Sequence, residues 1–480
     1  MFHPSSHRKT KVIATIGPAC DNVEILKEMI HEGMSVARLN LSFGSGPDQV
    51  DRVKRIRQAA KECGQHVAIM GDTRGIEIRT GKLEEDTVDL KPNRRFDLYG
   101  DEQAGNVDGV SVTYRKLYTE VEVKSPILLD DGAIELEVTA VQGTTIQTRV
   151  INGGTLRANK GVNLPETQLS LSAVSPETRE VVDREMTFVA ENGIEYIAAS
   201  FIQTADDIHR LREVLTEKGV ETAIIAKIEN RAGVHNQAEI IEAADGIMVA
   251  RGDLGVELPL ADVPAMQKSL IRDTVSAGKP VITATQMLAS MENNPKPSRA
   301  EASDVANAIL DGTSAVMLSG ETAMGRYPVE AVRTMAKLAE RAEASLAEYG
   351  LLQKITPNPS NKITEAVCQA AITMASHLRA AAIFCLTDTG FTARQISKLR
   401  PSCPILAVTI SATEARRLAL NWGVRPLLHQ GELTDEAKVH RGIERAKELG
   451  YLGSGDVVLI TAGQHQISGG TDYIRVLTIE

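Results

Sequence analysis

Aromatic side chains are scarce in this 480-residue chain: one Trp, seven Phe and eight Tyr, about 3% in all. Cores built without them must be aliphatic, which suits parallel α/β layers of branched residues and gives no platform for stacking nucleic-acid bases. Positive charge is also short, with 53 Lys and Arg against 63 Asp and Glu and a net charge of −10. A polyanion-binding protein would need a local basic patch working against that field, and none is visible. Cysteine is limited to Cys20, Cys63, Cys368, Cys385 and Cys403, an odd number without a CxxC pair or zinc spacing. They read as reduced, buried thiols. No run approaches the roughly eighteen apolar residues of a membrane span, and the opening MFHPSSHRKTK has no apolar signal region. A cytoplasmic location is the expectation.

What is present is a repeated short apolar run. KVIATIG starts at Lys11, SVARLNLS at Ser35, HVAIMGDT at His66, EYIAASFI at Glu195, TAIIAKIE at Thr222, GIMVARGD at Gly246, PVITATQM at Pro280 and AVMLSGET at Ala315. Six of the seven intervals between these starts are 24 to 35 positions, enough for a strand, a helix and two short loops. Eight such units predict a closed (β/α)8 barrel whose strands are apolar on both faces. The exceptional interval, 129 positions after the third run, predicts an insertion. Its alternating stretches GVSVTY, PILLDDGAIELEVTAV and TTIQTRVI, broken by DDG, QG and NGG, read as a small antiparallel β domain with tight hairpin turns and no convincing helix, a β-barrel lid. Beyond LLQKITPNPSNK, a linker from Leu351 to Lys362, TEAVCQAAITMASHLRA reads as a helix capped by Thr364 and Glu365. Five further strand-like runs then predict an open α/β sheet whose edge is antiparallel. The expected division is 1–73 and 169–345 for the barrel, 74–168 for the lid and 346–480 for a C-terminal regulatory domain.

Each barrel run ends in polar or special residues, and barrel chemistry sits at the carboxyl ends of strands. AKIEN and ARGDLG place Lys227, Glu229 and Asp253 on neighbouring strands. Two carboxylates there can share a hard divalent cation such as Mg²⁺, and a lysine beside them suits negative charge on a transferring phosphoryl group. A plain salt bridge between Lys227 and Glu229 accounts for the same spacing. Period-two spacing sends Arg38, Asn40 and Ser42 to one side, with Asp72 and Thr73 from the next strand. Together they suit an anion and an oxygen-coordinated cation, or a polar barrel layer that binds nothing. Arg251 to Asp253 also spell an adhesion tripeptide, which a buried strand end makes improbable; Gly252 and Asp253 can instead open a helix that holds a carboxylate. TDTGFTARQISK follows a strand with a Thr/Gly loop and a helix start, a cradle for phosphate or simple turn chemistry.

These segments together resemble the pyruvate kinase family from Lys9 to the C-terminus. The matching stretches include KTKVIATIGPAC, ARLNLS, GDTRGIEIRTG, NKGVNLP, AKIEN, DGIMVARGDLGVELP, GKPVITATQMLASM and RAEASDVANAILDGTSAVMLSGETA. The resemblance implies phosphoryl transfer from phosphoenolpyruvate to ADP in glycolysis, giving pyruvate and ATP, and a homotetramer. It implies that Arg38 holds the substrate phosphate, Lys227 stabilises the transferring group and the enolate, and Thr285 orients the proton path to that enolate. Gly252 and Asp253 would hold the substrate carboxylate, and Arg79 and Lys160 the nucleotide phosphates. Glu229 and Asp253 would bind Mg²⁺ or Mn²⁺, and Asn40, Ser42, Asp72 and Thr73 would bind K⁺. Glu77 stands where potassium-independent members carry Lys, so potassium dependence is expected. The resemblance also implies an allosteric phosphate site at Thr387, Thr389, Gly390 and Thr392 with the GQHQISGGTD segment; Phe391 lies where some relatives carry a basic or polar residue.

Four positions depart from the family pattern. Phe43 replaces a His, Arg74 a Lys, Ile76 a Pro, and Ala232 an acidic or amide residue. The first three bear on nucleotide affinity and on the hinge into the lid. Competing readings are a metal-dependent lyase for pyruvate-like acids, which leaves Arg79, Lys160 and the lid unused, and a phospho-metabolite sensor with a decayed nucleotide site.

Overall fold

The computed structural model describes residues 8–167, 169–350, 362–431, 434–463 and 469–480. The linker expected before Lys362, the lid's last residue Gln168, and 464–468 of the effector segment lie outside the described residues. All eight apolar runs form strands: β1 Lys11–Thr15, β2 Met34–Asn40, β3 Ala68–Asp72, β4 Tyr196–Ala199, β5 Ala223–Ile228, β6 Gly246–Ala250, β7 Val281–Ala284 and β8 Ala315–Leu318. They close in sequence order into a parallel barrel, with β8 returning to β1 in the register Lys11↔Ala315 to Ala14↔Leu318. Alternate residues serve two cores. Ile13, Val36, Met70, Ile225, Met248 and Ile282 fill the interior. Val12, Leu39, Ile69, Ile224, Ile247 and Val281 pack beneath the surrounding helices. That double burial is why the runs are apolar without alternation.

Helix starts follow local chemistry. Ser298 and Glu301 form a capping box, Ser298 Oγ accepting from Glu301 N (3.2 Å) and Glu301 Oε2 from Ser298 N (2.7 Å), and so start the helix Arg299–Leu310. The expected cap at Thr364 does not form. The helix already includes Lys362 and runs to Leu378, Thr364 Oγ1 donates to Gly469 O (2.6 Å), and Glu365 pairs with the buried Lys398 (2.9 Å).

The insertion after β3 forms a six-stranded sheet and a separate pair, Thr87–Leu90 with Gly154–Arg157. Its strand pairings are antiparallel except Arg95–Tyr99 with Gly109–Ser111, which run parallel against the antiparallel expectation, as does the isolated bridge Leu83↔Gly105. Phe96, Leu98, Val110, Ile127 and Leu136 form its own core. The C-terminal sheet runs Val424–Leu428, Ile405–Thr409, Ala382–Leu386, Val457–Ala462, Tyr473–Thr478, and only the last strand is antiparallel.

The barrel floor and the C-terminal domain are bonded directly. Lys11 Nζ, at the foot of β1, donates to Val424 O (2.6 Å), and Gly423 N donates to Lys9 O (2.9 Å). Arg400 stacks over Trp422 at 4.6 Å and donates to Gly312 O (2.6 Å). Buried Glu195, just before β4, accepts from Ile69 N (2.8 Å), Arg57 (2.7 Å) and Arg416 (2.5 Å). All five cysteines are free and buried, and burial pushes the Cys20 thiol up to about 11 and Cys368 up to about 12. Among the described residues no helix is long and apolar enough to cross a membrane.

Candidate active site

The carboxyl rim of the barrel gathers charges from β2, β3 and β5 and from the helix after β6. Lys227, near the end of β5, lies 2.8 Å from Glu229 Oε1 and 3.0 Å from Asp72 Oδ1 at the end of β3, and donates to Ser200 Oγ (2.7 Å). The expected Lys227–Glu229 pair therefore exists, but the ammonium is shared among three acceptors rather than closed into a two-residue bridge. Burial opposes its charge, yet Asp72 and Glu229 outweigh burial and hold it above its ordinary range. Asp72 responds in the opposite sense: burial pushes its carboxyl up, and Arg38 and Lys227 together bring it below the usual carboxylate range.

Arg38, on β2, bonds Asp72 Oδ2 (2.6 Å) and Thr15 Oγ1 at the end of β1 (2.9 Å). Asn40 ends β2, and its side chain accepts from Ser42 N (3.0 Å). Ser42 itself lies beyond the strand in a one-turn 3-10 helix, Leu41–Phe43, so strand alternation does not aim it. Thr73 Oγ1 accepts from Ser200 N (3.0 Å). Glu229 is buried and accepts from Phe201 N (2.6 Å). Asp253 sits in the helix Arg251–Glu257; burial, then the charge of Glu229, pushes its carboxyl up to about 7. Gly252 N donates to Thr285 Oγ1 (2.8 Å), so the RGD turn and the end of β7 meet.

The lid returns to this rim. A cleft between lid and barrel is lined by Ile76, Asp131, Asn163, Phe201, Asp253 and Glu257. Arg79 and Lys160 come together at the lid's base, where Thr80 N donates to Lys160 O (2.8 Å) and Arg79 pairs with Gly161 across an isolated bridge. Both carry carboxylate partners: Arg79 Nε donates to Glu77 (2.7 Å), and Lys160 pairs with Asp130 (2.7 Å). At the hinge, Gly75 has φ +68°, and a Cβ there would lie 2.6 Å from Ser200 Cβ. No side chain fits that turn. Arg74 N donates to buried Glu185 (3.0 Å), whose carboxyl burial pushes up to about 7. Ile76 packs on the lid core, and Phe43 is 85% exposed.

Residues 7–332 match the family model "Pyruvate kinase, barrel domain", and 365–477 match "Pyruvate kinase, alpha/beta domain". The chain belongs to the pyruvate kinase family. It is thereby a phosphotransferase. It is 47% identical to the pyruvate kinase of Geobacillus stearothermophilus over 459 residues, covering 95% of this chain and 78% of that one. Identity to the Bacillus licheniformis pyruvate kinase is 44% over 475 residues, 98% and 80% of the two chains. A crystal structure of a pyruvate kinase from Cryptosporidium parvum superimposes with a TM-score of 0.93 at 37% identity, covering 99% of this chain and 97% of that one.

The loop after the strand Ala382–Leu386 is held by contacts of its own. Gly390 is left-handed (φ +73°) at the start of the helix Phe391–Lys398, and a Cβ there would lie 2.0 Å from Glu414 Oε1. Arg394 bonds Glu414 (2.9 Å) and Thr389 O (2.7 Å), while Thr392 meets Thr471 hydroxyl to hydroxyl (2.6 Å). Thr387 is buried and its amide donates to Val408 O (3.0 Å). No role is readable in the sequence for Thr15, Ser200 or Glu185, and Arg251 figures there only as a strand end and in the adhesion tripeptide. Ser200 and Arg251 carry a signal, polarity at a barrel strand end; buried Glu185, within an amphipathic helix, carries none.

Proposed function

We propose that this pyruvate kinase family member transfers the phosphoryl group of phosphoenolpyruvate to ADP at the barrel rim, yielding pyruvate and ATP in glycolysis. The observation that carries the reading is the buried ammonium of Lys227, kept charged by Asp72 and Glu229 beside the guanidinium of Arg38. In the reaction the bond from phosphorus to the enol oxygen breaks, a bond to a β-phosphate oxygen of ADP forms, and the enolate takes a proton at its methylene carbon. Arg38 binds the phosphate, and Lys227 stabilises charge on the transferring group and the enolate oxygen. Backbone groups of Gly252 and Asp253 hold the carboxylate at a helix start, and Thr285 orients the proton path. Arg79 and Lys160 exchange Glu77 and Asp130 for nucleotide phosphates when the lid closes.

The donor chemistry suits the implied cations. Glu229 and Asp253 are hard carboxylates of the kind that would hold Mg²⁺ or Mn²⁺ with substrate and water; Asn40, Ser42, Asp72 and Thr73 are oxygen donors that would hold K⁺. When bound, these ions supply positive charge that neutralises the phosphoryl group and orients the substrate. Further parts of the proposal are a homotetramer in the cytoplasm, the division 1–73 with 169–345, 74–168 and 346–480, and an effector phosphate held by Thr387, Thr389, Gly390 and Thr392. Gly390's left-handed turn ahead of a helix start supports that last part.

A lactate-dehydrogenase-coupled assay with phosphoenolpyruvate and ADP tests the reading. Turnover requiring a divalent cation is expected. No turnover with Mg²⁺ and K⁺ both present overturns it in favour of a phospho-metabolite sensor.

A further inference from the structure

Arg251 opens the RGD turn, and phosphoryl transfer as described gives it no task. Its guanidinium is nonetheless almost fully engaged, with the side chain 11% exposed. Nε donates to Ala284 O (3.3 Å) and Nη2 to Thr285 O (2.7 Å) and Met287 Sδ (2.8 Å). Nη1 faces both oxygens of Asp304 (2.8 and 2.6 Å) and Gln267 Oε1 (3.4 Å). Asp304 and Gln267 lie on two different barrel helices, Arg299–Leu310 and Val263–Ser276, so the arginine is braced from outside the barrel.

The backbone it grips is unusual. Thr285 has φ +67° and Gln286 φ +55°. A β-branched residue rarely occupies the left-handed region, and such a conformation persists only where surroundings hold it. The two carbonyls to which Arg251 donates, Ala284 O and Thr285 O, flank Thr285 on either side. From the opposite direction Thr285 Oγ1 accepts from Gly252 N (2.8 Å) and donates to Ala284 O (2.7 Å). Consecutive residues therefore hold the turn twice, Arg251 through carbonyls and Gly252 through the hydroxyl.

We propose that Arg251, tethered by Asp304, is a positioning residue for Thr285, fixing the left-handed turn that sets the threonine hydroxyl beside the Gly252 amide. The inference rests on the reading of Thr285 as the residue that orients the proton path to the enolate. A planar guanidinium bonds two carbonyls and a carboxylate at once, whereas a lysine ammonium has no such fork. Losing the fork lets the turn relax and the hydroxyl drift, so proton transfer suffers while the fold survives.

The test uses the full chain with Mg²⁺ and K⁺ and reads the exchange of pyruvate methyl protons with D₂O by NMR in the presence of ATP. Steady-state kcat, KM for phosphoenolpyruvate and thermal unfolding are measured alongside. Arg251→Lys is expected to slow exchange by about ten- to a hundredfold, the scale of an ångström's misplacement. In a Thr285→Ala background the same change should alter exchange by less than about twofold, because residues acting as one unit are not additive. Thr285→Ser, which keeps the hydroxyl, should restore sensitivity to Arg251→Lys. Normal exchange in Thr285→Ala overturns the reading of Thr285 itself. Slowed exchange in Thr285→Ala with an additive effect of Arg251→Lys overturns the positioning role alone. Should Arg251→Lys fail to fold, the near-isosteric Asp304→Asn completes the same cycle, with the same additive outcome overturning the proposal.

Discussion

Replacing Lys227 by methionine separates a catalytic ammonium from a structural salt bridge. The substitution keeps a long unbranched side chain but removes the charge lying 3.0 Å from Asp72 and 2.8 Å from Glu229. Removing one partner of a buried pair costs about 3–5 kcal/mol when the other is left alone. Neither carboxylate is left alone, because Asp72 keeps Arg38 at 2.6 Å and Glu229 keeps the Phe201 amide at 2.6 Å. The cost to stability should therefore sit at the lower end, about 3 kcal/mol, and the barrel should still fold. The catalytic loss is separate: a preorganised donor at developing charge is worth about 10²–10³-fold in kcat, and a full positive charge no less. The coupled assay on folded Lys227→Met, with circular dichroism and thermal unfolding as controls, distinguishes the two. A lowered melting temperature with kcat within about threefold of the unsubstituted protein would refute the catalytic assignment, since purely structural damage leaves the folded fraction active.

Four other outcomes are expected. Activity should need K⁺, since position 77 carries a glutamate, paired with Arg79, in place of a lysine; full activity in tetramethylammonium buffer sinks this. A Cβ at Gly252 would meet only Thr285, at 3.5 Å or more, so Gly252→Ala should fold normally and keep its amide, while the added methyl crowds the substrate carboxylate and raises KM for phosphoenolpyruvate about tenfold. An unchanged KM means that the carboxylate does not lie against Gly252. Glu185, raised to about 7 by burial, favours the protonated form in the folded state, so its contribution is complete below the unfolded value near 4.5 and is lost as pH rises through about 7. Urea unfolding should show Glu185→Gln gaining on the unsubstituted protein between pH 5 and about 7.5, and a pH-independent difference contradicts this. Thr389→Asp should abolish activation by phosphorylated metabolites; activation that survives with every sugar phosphate and nucleoside monophosphate makes the loop structural.

The barrel was legible because each strand is buried on both faces, so β/α spacing and unbroken Val, Ile and Ala runs located all eight within three residues of their observed starts. Contacts between distant segments were less accessible. Lys227 and Asp72 are 155 positions apart, and nothing in either run says that the ammonium crosses to that carboxylate rather than to Glu229 alone. Thr364 reads as a cap because threonine before an apolar stretch usually is one, yet its hydroxyl is claimed by Gly469 far along the chain. Ser42 was misplaced by assuming that β2 continued, whereas the Asn40 side chain turns the backbone after it. The parallel pairing of Arg95–Tyr99 with Gly109–Ser111 likewise breaks the hairpin rule by which the insertion was read.

The bond from Lys11 to the carbonyl of Val424 bears on the order in which this protein is made. β1 leaves the ribosome first, but its foot is finished by residues more than 400 positions later, and its free edge waits for β8. Until the C-terminal sheet has formed, the lysine meant for the barrel floor lacks its acceptor. Domains generally mature in the order of synthesis. Here the first strand is among the last to be completed, so a chain truncated before the C-terminal domain should still close its β1–β8 seam but leave the Lys11 ammonium at the barrel floor without its carbonyl.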